Sequence, residues 1–490
     1  MKNFNYTFVS KIIGFLLIVE TLFMLISALI GESYGETSAT RSIYISAAIT
    51  CASGLILLFI GLRKGKRNDI SKREGYLTVT LGWILMCLFG LLPYQLSGAI
   101  PKFSNAFFEI MAGLTTTGSS TILNIEAFPK SLLFWRSLTQ WIGGIGIIVF
   151  AMGFMPLFGG STIQLFDAEV PGFMQSQSAN MMRVSQLAKM FAITYVFITV
   201  LGFLLLYIGP MDTFDAACHA LTSISTGGFS TKQISIAHFQ SAYVEYIIIL
   251  LMFIGGVNFL LIYMLFRKFS LKFLKDEEFR WYFFIIIIFT VIVSASLLIS
   301  GKMTHIEYTF RTVLFQTVSM ITTAGFATYD FTLWGPIYWF LFLGLILFCA
   351  SEGSTSGGMK LSRLIVLVKS IFIEFKKQVH PNALFAVKMN GKLVSQNSMT
   401  NIWTFVFLYF IIVSVSCVVL SLTGMNFEES VGAAIGVLSN AGPALGEQGP
   451  AGNFANLTDF AKFYMSFLML VGRLEIFTVL SLFFPSFWKR

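Results

Sequence analysis

Apolar residues fill ten long runs of the chain, and shorter polar stretches separate these runs. Each run approaches the roughly 20 residues that cross a bilayer as a helix. The runs begin at about Ile12, Ile43, Leu77, Leu132, Phe191, Tyr246, Tyr282, Pro336, Ile402 and Phe463. The pattern predicts an all-α polytopic membrane protein with ten crossings.

Composition agrees with this prediction. Of the 490 residues, 56% are hydrophobic and 12% are charged, against about 25% charged in soluble proteins. The first run is longer than the core of a signal peptide, and no convincing small-residue cleavage site follows it. We therefore expect an uncleaved first helix.

Lysine and arginine set the expected orientation. They concentrate in the connections 63–73, 267–280 and 376–392, whereas alternate connections carry only scattered cations. Since short basic loops stay on the cytoplasmic side, we expect these three loops and both termini to be cytoplasmic. The net charge of +9 reflects this bias and requires no nucleic acid.

Four polar patches recur on the predicted outer side: LTTTGSST (114–121), SISTGGFST (223–231), MITTAGFAT (320–328) and LSNAGPALG (438–446). Alignment on a shared glycine gives four triplets, which we call filter segments 1 to 4. They are Thr116, Thr117 and Gly118; Thr226, Gly227 and Gly228; Thr323, Ala324 and Gly325; and Asn440, Ala441 and Gly442.

Each patch has the same flanks. A membrane run and a short stretch with helical apolar spacing precede it, and another membrane run follows. Irregular backbone at membrane depth is tolerated only when it is buried in protein or lines a cavity. Carbonyl oxygens beside glycine can replace the hydration shell of a cation, so four such loops indicate one shared ion pore. The alternative is that these small residues only let helices pack closely.

Two further polar features interrupt apolar runs. The stretch ASEGSTSGGMK (350–360) breaks the run that begins at Pro336. A phosphate-binding loop requires lysine directly after glycine, whereas Met359 separates Gly358 from Lys360, so we expect no nucleotide binding there. A simple kink is the alternative there. Arg473 lies within the last run, and such residues usually face a cavity or a partner. Its alternatives are an ion pair with Glu475 or hydrogen bonds to backbone carbonyls.

At this point the chain resembles the Trk/Ktr/HKT superfamily of potassium transport proteins, and most closely the TrkH-type membrane subunits of its bacterial Trk branch. The resemblance runs from about Gly75 to the C-terminus. Besides the filter segments, it rests on WRSLTQWIGGIGIIVF (135–150), FIGGVNF (253–259), FRTVLFQTVSMITTAGF (310–326), GSTSGGMK (353–360), HPNALFAVKMNGKLV (380–394) and GRLEIFTVL (472–480).

The resemblance implies four pseudo-repeats around one pore, each built as helix, re-entrant pore helix, filter loop and helix, after two N-terminal helices. It assigns ion binding to the twelve filter-segment residues. Gly118 favours potassium, since serine at this position accompanies sodium selectivity in related plant transporters. Ala324, Ala441 and Ala444 depart from the usual pattern. The implied gate comprises Arg473 and a loop, called the gate loop (353–358), of Gly353, Ser354, Thr355, Ser356, Gly357 and Gly358.

The predicted organisation is two N-terminal helices (1–75) followed by pore repeats at 76–160, 161–270, 271–395 and 396–490. The third repeat contains the gate loop. The resemblance further implies a homodimer in the bacterial cytoplasmic membrane, in contact with lipid, and a cytosolic TrkA-type nucleotide-binding regulatory ring. We expect no cofactor, no metal besides potassium as the substrate, and no nucleic acid.

The predicted function is potassium uptake through a gated selectivity filter. An enzyme is not expected, because no Asp, His or Glu cluster stands at catalytic spacing. The alternative is an alternating-access secondary transporter of another small solute. Such transporters more often have two large halves with broken helices in matching positions, whereas we expect four repeats and a single broken helix.

Overall fold

The protein is described by a computed structural model that covers residues 4–62, 72–154, 184–268, 271–348, 350–450 and 452–488. Within these ranges the chain is almost entirely helical. The sheet found there is one antiparallel pair, Lys388–Met389 with Lys392–Leu393. The prediction of an all-α polytopic membrane protein is confirmed.

All ten predicted apolar runs lie in helices, some of which are interrupted. The longer helices are Tyr6–Ser33, Thr37–Leu62, Lys72–Gly90, Lys130–Phe154, Val184–Ile208, Ala242–Gly255, Phe259–Lys268, Glu277–Ile299, Pro336–Phe348, Leu361–Val379, Gln396–Ser421 and Asp459–Arg473. Short helical turns are Leu92–Leu96, Ser235–Phe239, Leu271–Lys275, Phe331–Trp334, Gly446–Gln448, Ile476–Leu480, Ser481–Phe483 and Pro485–Trp488.

Four further helices are too short to cross a bilayer, and we call them short helices 1 to 4. They are Phe103–Leu114, Thr213–Ile224, Ile306–Ile321 and Phe427–Leu438. Two of these helices have a polar capping side chain at their N-terminus. Asp212 accepts a hydrogen bond from the Asp215 amide, and Asn426 with Glu429 forms a capping box. Each of the four ends at a filter segment, as the repeat pattern predicts.

The expectation of a single broken helix is wrong. Besides the interruption between Pro336–Phe348 and Leu361–Val379, two spans bend sharply. The angle is 105° between Ala242–Gly255 and Phe259–Phe266, and 116° between Asp459–Arg473 and Ile476–Phe483. Arg473 therefore ends a helix. The first bend is stable because the Phe259 amide, freed from the helix, donates to the Gly353 carbonyl at 3.1 Å.

The two N-terminal helices form a closely packed hairpin. A β-carbon at Gly14 would lie 2.7 Å from the carbonyl oxygen of Gly54, so the small residues let the two backbones approach. The helix Glu277–Ile299 instead exposes Phe284, Ile288 and Ile292 at helical spacing. An apolar exposed stripe of this kind is typical of a surface that faces lipid.

Some predicted features lie outside the described residues. They are the basic segment 63–71, the predicted boundary between repeats 1 and 2 at 160 and 161, and the basic ends Lys489 and Arg490. The basic connection 267–280 is described except for residues 269 and 270, and 376–392 is described completely. The sidedness of both stays a prediction.

Candidate functional site

The four short helices end with the same backbone motif. In the first, the Thr116 amide donates to the Gly113 carbonyl at 2.9 Å and the Thr117 amide to the Ala112 carbonyl at 2.8 Å. The same pair of bonds recurs at the other three ends, and it defines a Schellman helix cap. The sequence repeat is therefore also a structural repeat.

The first residue of every filter segment has left-handed backbone angles. The φ values are +53°, +50°, +54° and +56° at Thr116, Thr226, Thr323 and Asn440. A branched threonine is unusual in this region, where helix caps normally carry glycine. Strain that recurs at four matching positions is typical of a functional site.

The third residue of each segment is a glycine that touches the next segment. A β-carbon at Gly118 would lie closer than 3.0 Å to the Gly227 carbonyl oxygen. Equivalent contacts join Gly228 with Ala324, Gly325 with Ala441, and Gly442 with Thr117. Segment 1 therefore contacts segment 2, segment 2 contacts segment 3, segment 3 contacts segment 4, and segment 4 contacts segment 1. The four filter segments thus form one closed ring, which brings all twelve predicted residues together.

Side-chain hydrogen bonds strengthen the junction between segments 4 and 1. The Asn440 amide nitrogen donates to the Thr117 hydroxyl at 3.0 Å and to the Met469 carbonyl at 2.9 Å. The Ser119 hydroxyl donates to the Gly442 carbonyl at 3.1 Å. Asparagine at the first position of segment 4 therefore performs a bridging role that a threonine is too short to perform.

A glutamine that the sequence interpretation missed braces segment 2. Gln140, fully buried in the helix Lys130–Phe154, donates through its amide nitrogen to the Gly227 carbonyl. Its amide oxygen accepts from the Phe229 amide at 3.0 Å. The side chain therefore fixes the backbone on both sides of Gly228. The available signal was a glutamine in an otherwise apolar run.

One turn earlier on the same helix, Arg136 forms a buried ion pair with Glu109 at 2.8 Å. Glu109 also accepts from the Thr121 amide at 2.7 Å. Arg136 donates to the Ser230 carbonyl at 3.0 Å and stacks on the Phe229 ring. The pair thus ties the residues that follow filter segment 1 to those that follow segment 2.

The gate loop lies directly against the ring. Thr355 donates to the Ile224 carbonyl, at the end of short helix 2, at 3.0 Å. The hydroxyls of Thr226 and Thr355 are 3.3 Å apart. The Gly357 amide donates to the Thr323 hydroxyl at 2.9 Å. The loop therefore contacts the first residues of filter segments 2 and 3, on the side where the short helices end.

The other gate-loop residues shape the loop itself. The Ser354 hydroxyl donates to the Ser351 carbonyl at 2.5 Å, and the Ser356 carbonyl accepts from Lys360. Gly353 and Gly358 have φ of +72° and +68°. These bonds and turns make the loop a compact, mostly buried structure, which differs from a simple helix kink.

Arg473 is buried and donates to two carbonyls, those of Thr355 and Gly143, each at 2.8 Å. An ion pair between Arg473 and Glu475 is not formed, because Glu475 pairs with Arg363 at 3.0 Å. The buried guanidinium therefore lies beside the gate loop, held by backbone oxygens from two other repeats.

Comparison with known proteins identifies the family. The family model described as TrkH, cation transport protein, matches residues 40–490. The chain belongs to the TrkH family. It is 34% identical to the Trk system potassium uptake protein TrkH of Escherichia coli K12, with 99% of this chain and all of that protein aligned. TrkI of Halomonas elongata is 31% identical, with 98% of this chain and 96% of that protein aligned.

A solved TrkH-family structure has the same fold. The crystal structure of the potassium transporter TrkH from Vibrio parahaemolyticus superposes with a TM-score of 0.88 and 31% identity, over 99% of each chain. The predicted membership of the Trk branch is confirmed. The TrkH family transports cations and is not an enzyme family. In the described part of this chain, no three His, Cys, Asp or Glu side chains form a metal-binding group.

Proposed function

We propose that this protein takes up potassium ions across the bacterial cytoplasmic membrane through a pore at the centre of the four filter segments. The closed ring of glycine and carbonyl contacts carries the proposal, because it brings four short helix ends and four loops around one axis. Relatives over the full length of the chain are named Trk system potassium uptake proteins.

The chemistry of the ring suits a cation with a weakly held water shell. Four helix C-termini carry partial negative charge toward the segments, and main-chain oxygens replace water around the ion. Among the described atoms, the buried hydroxyl oxygen of Thr116 has no hydrogen-bond partner. That oxygen is available to an ion or its water.

Gly118 supports potassium as the ion. Its positive φ of +82° and its contact with the Gly227 carbonyl leave no room for a side chain. Serine there displaces the neighbouring segment, which changes the positions of the oxygens around the ion. Since selectivity depends on the number and positions of these oxygens, Gly118→Ser lowers the preference for potassium over sodium.

Gating is assigned to the gate loop and to Arg473. The loop is hydrogen-bonded to the first residues of two filter segments, so it blocks the path below the ring while these bonds persist. A buried guanidinium beside the loop adds electrostatic repulsion against a cation, which is strong in a medium of low dielectric constant. Displacement of the loop and of Arg473 opens the pore.

The assembly is proposed as a homodimer with one pore in each subunit, surrounded by lipid and regulated by a cytosolic TrkA-type nucleotide-binding ring. The basic stretch 376–392 is the proposed docking surface for the ring. Removal of the TrkA-type partner protein is expected to change gating and to leave the ion preference of the filter unchanged.

The test is rubidium uptake by liposomes that contain the purified protein, measured against sodium and lithium. We expect preferred rubidium or potassium flux in the native protein and a reduced preference in Gly118→Ser. Gly98→Ser is the matched control, because Gly98 also has positive φ, +74°, but no atom within 4 Å of the added β-carbon. Absence of cation flux, even after deletion of 353–358, contradicts the proposal.

The two unexpected bends give the alternating-access alternative a specific basis, since the helix after the filter segment is now interrupted in repeats 2, 3 and 4. An alternating-access transporter of another solute predicts that an amino acid or a sugar competes with uptake or protects the protein. Screening these compounds in the same liposomes separates the two functions.

A further inference from the structure

A single carboxyl oxygen joins the two ends of the segment that contains the gate loop. Glu278 is buried in the first turn of the helix Glu277–Ile299. Its Oε1 atom accepts hydrogen bonds from the Glu352 amide at 2.8 Å and from the Ser362 amide at 3.1 Å. These two amides flank the gate loop, so one side chain of another helix holds both ends.

Bonds within the segment draw the same ends together. The Ser362 hydroxyl donates to Oε2 of Glu352 at 2.8 Å, and the Leu361 amide donates to the Ala350 carbonyl at 3.1 Å. A loop whose ends meet in this way is a compact unit. The position of Glu278 therefore influences the position of the whole gate loop.

Asp276 and Glu277, immediately before Glu278, hold the tip of the hairpin 388–393, which the two short strands form. The Asn390 side chain accepts from the Glu277 amide at 2.8 Å and donates to Asp276 at 2.9 Å, and its own amide donates to Glu277 at 3.1 Å. Asn390 and Gly391 have φ of +48° and +78°, as in the two-residue turn of a tight hairpin. The tip is therefore locked to the N-terminus of the helix that carries Glu278.

A lysine connects the same cluster with the helix that follows the gate loop. Lys369 lies on Leu361–Val379, forms an ion pair with Glu277 and donates to the Lys388 carbonyl at 2.6 Å. Beside it, Val366 packs in a small apolar cluster with Val387 and Ile402. The hairpin thus contacts both the helix before the gate segment and the helix after it.

We propose that Glu278 is a positioning residue for the gate loop, and that the hairpin 388–393 controls the loop through Asn390 and Glu278. The inference rests on the gate assigned above and names its control element. The hairpin lies in a connection that the charge pattern predicts to be cytoplasmic. A cytosolic protein that displaces the hairpin shifts the first turn of Glu277–Ile299, and with it both bonds to the loop.

The ordinary alternative is that Glu278 only complements the dipole at the start of its own helix. That role requires no bond to the gate segment and no influence of Asn390 on it. Amide hydrogen exchange distinguishes the two roles, because it reports directly on the Glu352 and Ser362 amides. It requires no ion transport.

The experiment compares exchange in the full-length protein in lipid nanodiscs. Glu278→Leu is expected to speed exchange of the 350–363 region by at least about tenfold, because two buried hydrogen bonds lose their acceptor. Glu278→Gln keeps an acceptor oxygen and is expected to restore slow exchange. Asn390→Ala, an exposed change, is expected to accelerate the same region by about threefold, on the order of one weakened hydrogen bond.

Asn5→Ala is the control, because it removes the asparagine side chain that caps the first helix through the Phe8 amide, and it is expected to leave 350–363 unchanged. If the 350–363 region of Glu278→Leu exchanges at the same rate as in the native protein, the positioning role of Glu278 is overturned. Faster exchange confined to 388–393 in Asn390→Ala overturns the control by the hairpin.

Rubidium flux supplies the second measurement. Glu278→Leu and Asn390→Ala are expected to raise flux without the cytosolic partner and to keep the native rubidium-to-sodium ratio. If these residues only stabilise the fold, the two variants lower the thermal stability and the rubidium-to-sodium ratio together. If the native protein carries no selective flux, the proposed function fails, whereas the exchange data still decide this inference.

Discussion

Arg473 donates a hydrogen bond of 2.8 Å to the main-chain oxygen of Thr355. The arginine ends the last long membrane helix, and the threonine lies in the middle of the gate loop. A second bond of 2.8 Å reaches the Gly143 carbonyl in repeat 1. One guanidinium therefore joins three repeats directly beside the filter, and it is the natural place to test gating.

Replacement of Arg473 by glutamine is expected to raise the resting rubidium flux by about tenfold, since a hydrogen bond from a charged group and a local positive charge are both lost. The measurement is uptake by liposomes without any partner protein. Arg41→Gln, an exposed arginine on the second helix, serves as the control. An unchanged resting flux in Arg473→Gln contradicts the proposed barrier.

Thr355→Val tests the hydroxyl contacts of the gate loop. Valine has the same shape but cannot donate to the Ile224 and Gly255 carbonyls, which lie at 3.0 and 3.1 Å. The expected result is an increase in resting flux of roughly threefold to tenfold, with unchanged ion preference. Thr78→Val is the matched control, because that buried hydroxyl donates to the Glu74 carbonyl of its own helix and, among the described residues, to no other element. A loss of ion preference without higher resting flux speaks against a gate here.

Gln140→Leu tests the brace on filter segment 2. The change leaves the Gly227 carbonyl and the Phe229 amide without their side-chain partner, so this part of the ring relaxes. We expect the rubidium-to-sodium preference to fall by about tenfold, the effect of about 1.4 kcal/mol. Gln316→Leu removes a similar amide that bonds the Tyr329 carbonyl, outside the filter segments. Equal effects of both changes would show that the brace has no special role.

Arg136→Met tests the stability of the outer part of the site. The change leaves Glu109 as a buried carboxylate without its cation, which costs about 3–5 kcal/mol of folding free energy. A thermal unfolding assay in detergent is expected to show a clearly lower midpoint. The exposed pair of Lys102 and Asp459 provides the control, since Lys102→Met is expected to leave the midpoint unchanged. Equal midpoints for both variants disagree with a structural role for Arg136.

The sequence predicted the helices and the filter segments because both have strong local causes. Length and apolarity determine a membrane helix almost independently of its neighbours. Gly118, Gly228, Gly325 and Gly442 have positive φ and touch the next segment, so the alignment on these glycines detected a backbone requirement that recurs four times.

The second bend and the braces were missed because their causes are not local, whereas the first bend lies at the adjacent glycines Gly255 and Gly256. Neither bend has a proline, and Glu475 adopts φ of +64° beside an ion pair with Arg363, more than 100 residues away in the chain. Gln140 reads as an isolated polar residue until folding brings it to backbone groups of repeat 2. Glu278 reads as one of three acidic residues at a helix start until folding brings it to two amides more than 70 positions away. Such contacts depend on tertiary structure, which a single sequence does not contain in readable form.

Ring closure also determines when the protein becomes complete during synthesis. The last junction joins Asn440 to Thr117 across 323 positions of the chain. The ribosome must therefore synthesise nearly the whole polypeptide before the ring can close. Until then, filter segments 1 and 3 lack their contacts with segment 4. A chain that stops before segment 4 lacks this junction, and its ring stays open between segments 3 and 1.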